Sequence, residues 1–319
     1  MSEDEILNYL ITRRGTGFIY VINYIPSNIL GLSYMEGTML YVFIGFIGLL
    51  FFYFIALETI PYNMKCRGVY LFPLLFFLPN LHFWSVAVGK DTLLFFCIGA
   101  FAYSIMKINK RFILLLFSLI LSFFIRPHVT LFLVIGFGFA YLLGKNVSKA
   151  QRVIISIVLL GGSLVMLPIV MDYVKIDDLS MSSIEQFSNE KAQGLSKGAG
   201  SAIDISSYPY PLKVFTFLFR PLFFDINGLS ALVISFENLL LLILSIYVIR
   251  KQPIKTFKEA PLVLQGLFIF LIVGTLAFCA SMSNLGIIIR MRNMFLPGLI
   301  LYILWSFSYN EKSELDEEG

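Results

Sequence analysis

The chain has 319 residues, 58% of them hydrophobic and 14% charged, with a mean hydropathy of +0.84. Soluble domains carry about 25% charged residues, so a soluble globular enzyme is excluded. The formal net charge of +4 is divided among short loops, and no nucleic-acid partner is expected from it.

Apolar runs dominate the chain, and they are continuous rather than alternating, which excludes a barrel of short strands. Several charge-free stretches reach the length needed to cross a hydrocarbon core of about 30 Å. Phe is the aromatic in excess, 33 of the 319 residues, as suits helices that face lipid. The expected fold is all-α: a polytopic transmembrane helical bundle of nine or ten spans, one integral-membrane domain over residues 1–319.

In chain order, Met1 to Glu5 are acidic and do not read as a secretory signal peptide. Residues 17–32 are apolar but interrupted by Asn23, Pro26, Ser27 and Asn28. They either cross the membrane or lie along its surface. Spans are predicted at 39–57, 70–84, 92–106, 112–125, 129–143, 153–174, 229–249, 262–282 and 294–308. The polar stretch 175–212 reads as an extracytoplasmic loop, either a functional lid or a disordered segment. Its Tyr208-Pro209-Tyr210 end suits stacking on a sugar or anchoring at the water boundary. Residues 213–224 are apolar but short, with Arg220-Pro221 inside, and read as a re-entrant or interfacial helix.

Short basic loops set the orientation. Lys65 and Arg67, then Lys107, Lys110 and Arg111, then Lys145, Lys149 and Arg152, then Arg250, Lys251, Lys255 and Lys258 fall on one side. The positive-inside rule makes that side cytoplasmic. Arg13 and Arg14 join it if 17–32 crosses, which gives ten spans with both termini inside and a cytoplasmic acidic tail at about 310–319. The opposite, outer side then collects Lys90, Asp91, Arg126, His128, Arg220, Asp225, Arg290 and Arg292.

Cations in or beside apolar segments are costly unless paired, and they mark functional positions. The partner that suits several converging guanidinium groups is a phosphate or pyrophosphate, gripped bidentately. Candidate binding residues are Lys90, Arg126, Arg220, Arg290 and Arg292, with Trp84 at the boundary beside them. Arg290 and Arg292 are two apart, about 200° around a helix, so only one faces a common cavity; Arg290 shares a face with Gly286, which leaves room there. Candidate proton acceptors are Asp91, which alternatively holds an arginine, His128, and Glu237. Glu237 is the lone carboxylate of its span, and it either pairs with an arginine from a neighbouring helix or acts as general base for a sugar hydroxyl.

Three cysteines carry no disulfide signal, and Cys66, Cys97 and Cys279 read as packing residues. Two histidines far apart argue against a dedicated metal site. No phosphate-binding P-loop, nucleophile elbow, HExxH or dinucleotide fingerprint occurs, so no cofactor is expected.

Three segments carry a resemblance. PNLHFWSVAVGKD, FRPLFFDINGLSALVISFEN and NLGIIIRMRNMFLP resemble elements of the Wzy-like polysaccharide repeat-unit polymerases and their bacterial relatives, over a region from Pro79 to Pro297. The resemblance implies a membrane glycosyltransferase that polymerises undecaprenyl-pyrophosphate-linked oligosaccharides on the outer face of the bacterial cytoplasmic membrane. By that likeness Lys90, Arg126, Arg220 and Arg290 occupy the pyrophosphate and sugar cavity. Transfer inverts the anomeric carbon without a metal, and a chain-length regulator is a possible partner. The chain departs from the family pattern in being short, with one outer loop of moderate length. Rival readings are an O-antigen-ligase-like transferase, a flippase for an anionic lipid-linked glycan, and a non-catalytic scaffold.

Overall fold

The computed structural model describes the whole chain except residues 1–8, 10–12, 62–64, 67, 145–147, 177, 179, 198–199, 206 and 319. Met1 to Glu5, Arg67 and Lys145 therefore lie outside the described residues, as do the side chains of Lys65, Cys66 and 311–319. Fourteen α-helices occur among the described residues, with a two-residue hairpin pairing Lys65–Cys66 (β1) to Val69–Tyr70 (β2). The molecule is an all-α helical bundle.

Among the described residues, four helices are long and apolar enough to cross a membrane: α2 (Tyr34–Thr59), α5 (Ile108–Ile125), α7 (Lys149–Val174) and α10 (Leu229–Arg250). A fifth crossing is formed if the bent pair α13 (Leu285–Arg292) and α14 (Leu296–Glu318), 62° apart, acts as one broken span. Three further predicted spans are apolar helices of 16 or 17 residues: α4 (Lys90–Ile105), α6 (Pro127–Leu143) and α12 (Leu262–Phe278). At 1.5 Å per residue they reach about 25 Å, short of a core of about 30 Å. By length and composition, then, four or five spans stand where nine or ten were expected.

Two predicted spans are not single helices. Residues 70–84 divide into a 3₁₀ turn, Leu74–Phe77, and α3 (Pro79–Phe83). Pro73 and Pro79 explain the break, because each lacks an N–H and pushes the residue before it out of the helical region. Residues 17–32 form α1 (Thr16–Tyr24) and a π-helical turn, Ile25–Ile29. Together these reach about 21 Å, shorter than a hydrocarbon core of about 30 Å. The 213–224 segment is α9 (Tyr210–Phe219), a ten-residue helix ended at Arg220 by Pro221. The polar stretch 175–212 contains an amphipathic helix, α8 (Met181–Ser196), started by the Ser180 hydroxyl, which accepts from the Ser183 N–H.

Packing places α6 and α12 together at the centre, with α4 packed on α2 and α5, α7 on α6, and α14 on α12. Small residues permit the tightest crossings, as is usual between membrane helices. At the α2–α4 crossing a Cβ on Gly99 would lie 2.8 Å from the Gly48 carbonyl oxygen. At the α6–α12 crossing one on Gly136 would lie 2.9 Å from the Phe270 nitrogen. Outward faces are apolar: Ile154, Ile157, Leu160, Leu164 and Val165 of α7 are all more than half exposed. Such a stripe suits lipid rather than water.

Helix direction separates two ends. At one, Glu58 pairs with Lys107 at 2.7 Å and Arg111 at 3.3 Å, and Arg152 caps the Gly144 carbonyl at the end of α6. The starts of α4, α6 and α10 define the other end, where the candidate site lies. This separation yields a topology prediction. Single-cysteine variants Ser148→Cys, at the start of α7, and Ser196→Cys, at the end of α8, are expected to label from opposite sides of the membrane. With an impermeant thiol reagent on intact cells, Ser196→Cys should react and Ser148→Cys should not; the reverse pattern would invert the bundle.

Candidate functional site

The centre of the site is a carboxylate shared by two arginines. Asp91 lies in the first turn of α4, just after Gly89, whose φ of 149° starts the helix from a conformation that favours glycine. One Asp91 oxygen accepts from Arg126 at 2.8 Å, and the other accepts from the Arg290 Nε at 2.5 Å. Arg126 joins α5 to α6 in extended conformation before Pro127, and its remaining terminal nitrogen rests on the Met291 sulfur at 3.3 Å. Asp91 is 12% exposed with both oxygens occupied. It holds arginines and is not an open proton acceptor.

Arg290 is different. Its side chain is 46% exposed, and only Nε is engaged, so the fork of terminal nitrogens has no hydrogen-bond partner among the described residues. Its guanidinium lies 5.8 Å from the centre of the Trp84 ring, within cation–π range. Lys90 adds a further cation, repelled by Arg126, Arg290 and Lys191 of α8 and attracted by Asp91. Four cations thus face one carboxylate, an excess of positive charge at the membrane boundary that suits a multiply charged anion.

The other two expected arginines are committed elsewhere. Arg220 makes a bidentate pair with Asp225, at 3.0 and 2.5 Å, and donates to the Tyr208 hydroxyl at 3.2 Å. The Asp225 carboxylate holds it still more firmly protonated than an ordinary guanidinium. Arg292 is 1% exposed. It donates to the carbonyls of Leu218 and Arg220, at 2.6 and 3.2 Å, and to the Asn238 side-chain oxygen at 2.6 Å. Those carbonyls close α9, so Arg292 caps a helix end inside the bundle. Both arginines proposed for a phosphate are thus engaged within the fold, Arg220 by Asp225 and Tyr208 and Arg292 by the closing carbonyls of α9 and by Asn238.

The remaining candidates are enclosed. His128 is 9% exposed and ringed by Phe132, Tyr173 and Phe278, and its Nδ1 has no hydrogen-bond partner. It does not reach the open side of the cluster. Glu237 is 3% exposed and, instead of an arginine, binds the backbone N–H of Asn80 at 2.9 Å, an otherwise unpaired donor in the first turn of α3. Of the two tyrosines read as either sugar-stacking or boundary anchors, Tyr208 accepts from Arg220 and Tyr210 donates to the Leu276 carbonyl at 2.8 Å.

Beside Arg290 opens a groove of about 670 Å³ between α3, α10 and α13. Trp84 forms part of both the groove and the cation cluster. One flank is apolar and open to the lipid side through Phe83, Leu229 and Val233, which are 66%, 78% and 43% exposed. Asn80, Asp225 and Asn227 give the other flank its polarity.

Helix α8 is fastened over this end. The Ser283 hydroxyl donates to the Ala192 carbonyl, and Asn284 donates to that of Leu195 at 3.3 Å. Ile203 N–H donates to Ser283, and Leu285 N–H to Ser201. Lys191, adjacent to the fastened Ala192, is the site cation that sequence reasoning missed; only its place in a polar, Ser-rich stretch marked it. Compared with protein-family models, curated proteins and solved structures, this chain has no match.

Proposed function

We propose that the protein is a membrane glycosyltransferase acting on a polyprenyl-pyrophosphate-linked oligosaccharide, in the manner of a repeat-unit polymerase at the outer face of a bacterial cytoplasmic membrane. One observation carries the reading: the Arg126–Asp91–Arg290 bridge leaves the Arg290 fork open beside a lipid-facing groove. A lipid-linked pyrophosphate has the matching parts, a long apolar chain and a compact multiple anion. Concentration of the cations at one end favours chemistry at a boundary over a translocation path, which needs polar groups through the membrane depth.

In the reaction a hydroxyl oxygen of the acceptor attacks the anomeric carbon of the donor sugar. The new C–O bond forms as the bond to the pyrophosphate oxygen breaks, and configuration inverts. The electron pair leaves with the pyrophosphate, and the acceptor proton passes to solvent. Charge builds on the departing oxygen, where Arg290, Arg126 and Lys90 stabilise it from fixed positions in a partly dry site. Asp91 keeps two of those cations aligned and prevents their mutual repulsion from spreading them.

The test is substitution with transfer measured on purified protein. Arg290→Ala is expected to lower turnover about 100-fold or more, as loss of one charge-stabilising donor does, with membrane abundance unchanged. Arg290→Lys should recover only part, since an ammonium keeps the charge and loses the fork. Wild-type turnover in Arg290→Ala would overturn the reading. In cells, deletion should remove long polymer and retain single capped repeat units. Precursor trapped inside would instead indicate a flippase, and intact polymer left unattached would indicate a ligase.

A further inference from the structure

Three polar atoms at the groove have no partner in the fold. Asn80 is 1% exposed, and neither its side-chain oxygen nor its side-chain nitrogen makes a hydrogen bond; the same holds for the Trp84 indole nitrogen. Both residues line the groove. They are four apart, and the Trp84 backbone N–H reaches back to the Asn80 backbone carbonyl at 3.5 Å, so they lie on one face of a single helical turn. Each buried polar group left unpaired loses its hydration without compensation, and native folds retain few of them without a reason. Here two unpaired donors and one unpaired acceptor belong to two residues that line the groove within one helical turn.

We propose that Asn80 and Trp84 form a hydroxyl-binding subsite for the sugar adjoining the pyrophosphate. The subsite rests on the phosphate reading for its register, since Trp84 also touches Arg290. A sugar matches the atoms available: a hydroxyl accepts from the Asn80 amide nitrogen or the indole N–H, and donates to the Asn80 oxygen. Glu237 is a positioning residue. Its carboxylate holds the Asn80 backbone at 2.9 Å and fixes the first turn of α3, and thereby the angle at which the amide meets the groove. The apolar flank leads from the same point towards lipid, so the chain, the sugar and the phosphate of one molecule are taken at three adjoining places.

The experiment compares binding of farnesyl pyrophosphate and of farnesyl-pyrophosphoryl N-acetylglucosamine to the full-length protein in nanodiscs. Wild type is expected to favour the glycosylated ligand at least tenfold. Asn80→Ala should bring that preference close to one, and Trp84→Phe, which keeps the ring and removes the N–H, should reduce it several-fold. Glu237→Gln should lower the preference while the protein remains folded, a change in selectivity that a purely structural role would not produce. No preference in wild type, or a preference untouched by both Asn80→Ala and Trp84→Phe, overturns the subsite and assigns these atoms to buried water. The phosphate reading is judged separately: if farnesyl pyrophosphate binds no better than farnesol, that reading falls, while the preference for the sugar still reports on Asn80.

Discussion

Asp91→Ala is expected to abolish transfer and to lower stability by about 3–5 kcal/mol, the range for removing one partner of a buried ion pair. The effect arises mainly at Arg126, whose side chain is 10% exposed and loses the one carboxylate it pairs with among the described residues. Arg290, half in solvent, contributes little to stability and much to the loss of function, because it swings away from Arg126 once nothing holds the two together. Asp91→Asn keeps the shape and one acceptor oxygen, so it should be intermediate in stability and still inactive. Thermal unfolding in detergent beside a transfer assay decides the matter. An Asp91→Ala protein as stable as wild type would show that the bridge does not hold these elements together.

The second large effect separates two arginines that are two residues apart. Arg292→Ala leaves the closing carbonyls of α9 and the Asn238 side chain without a donor, all in the interior. Loss of about 4 kcal/mol or more is expected, the range reached when a buried network is broken, and the protein should largely disappear from membranes. Arg290→Ala should accumulate normally and turn over poorly. Immunoblots of membrane fractions read the first property and transfer per molecule the second. An abundant, monodisperse Arg292→Ala protein would contradict the capping role.

That division was legible before any coordinates, because residues two apart on a helix point about 200° away from each other. The helical class was legible as well, since long apolar runs have one economical conformation in lipid. What the residues did not disclose was pairing across distance. Nothing near Glu237 in sequence indicates that its carboxylate binds a backbone N–H 157 positions earlier, and an arginine was the more obvious partner. Arg220 and Asp225 were both legible as outer-side charges, but not their pairing, which depends on the 3₁₀ turn that folds Asp225 back. The span count by helix length is lower than the count by hydropathy for a related reason. Helices such as α6 and α12 bury much of their surface against other helices, so their apolar character reflects packing within the protein as much as lipid. Hydropathy does not distinguish the two.

The shared carboxylate also bears on the order in which the chain assembles. Arg126 follows Asp91 by 35 residues, whereas Arg290 follows it by 199. Domains made at the ribosome acquire structure from the amino end, so α4 and α5 enter the bilayer with their carboxylate and guanidinium already able to neutralise one another. The second arginine arrives after most of the bundle exists and meets a carboxylate that is half satisfied. A chain stopped before α13 therefore already holds a partner for the acid at this position, Arg126.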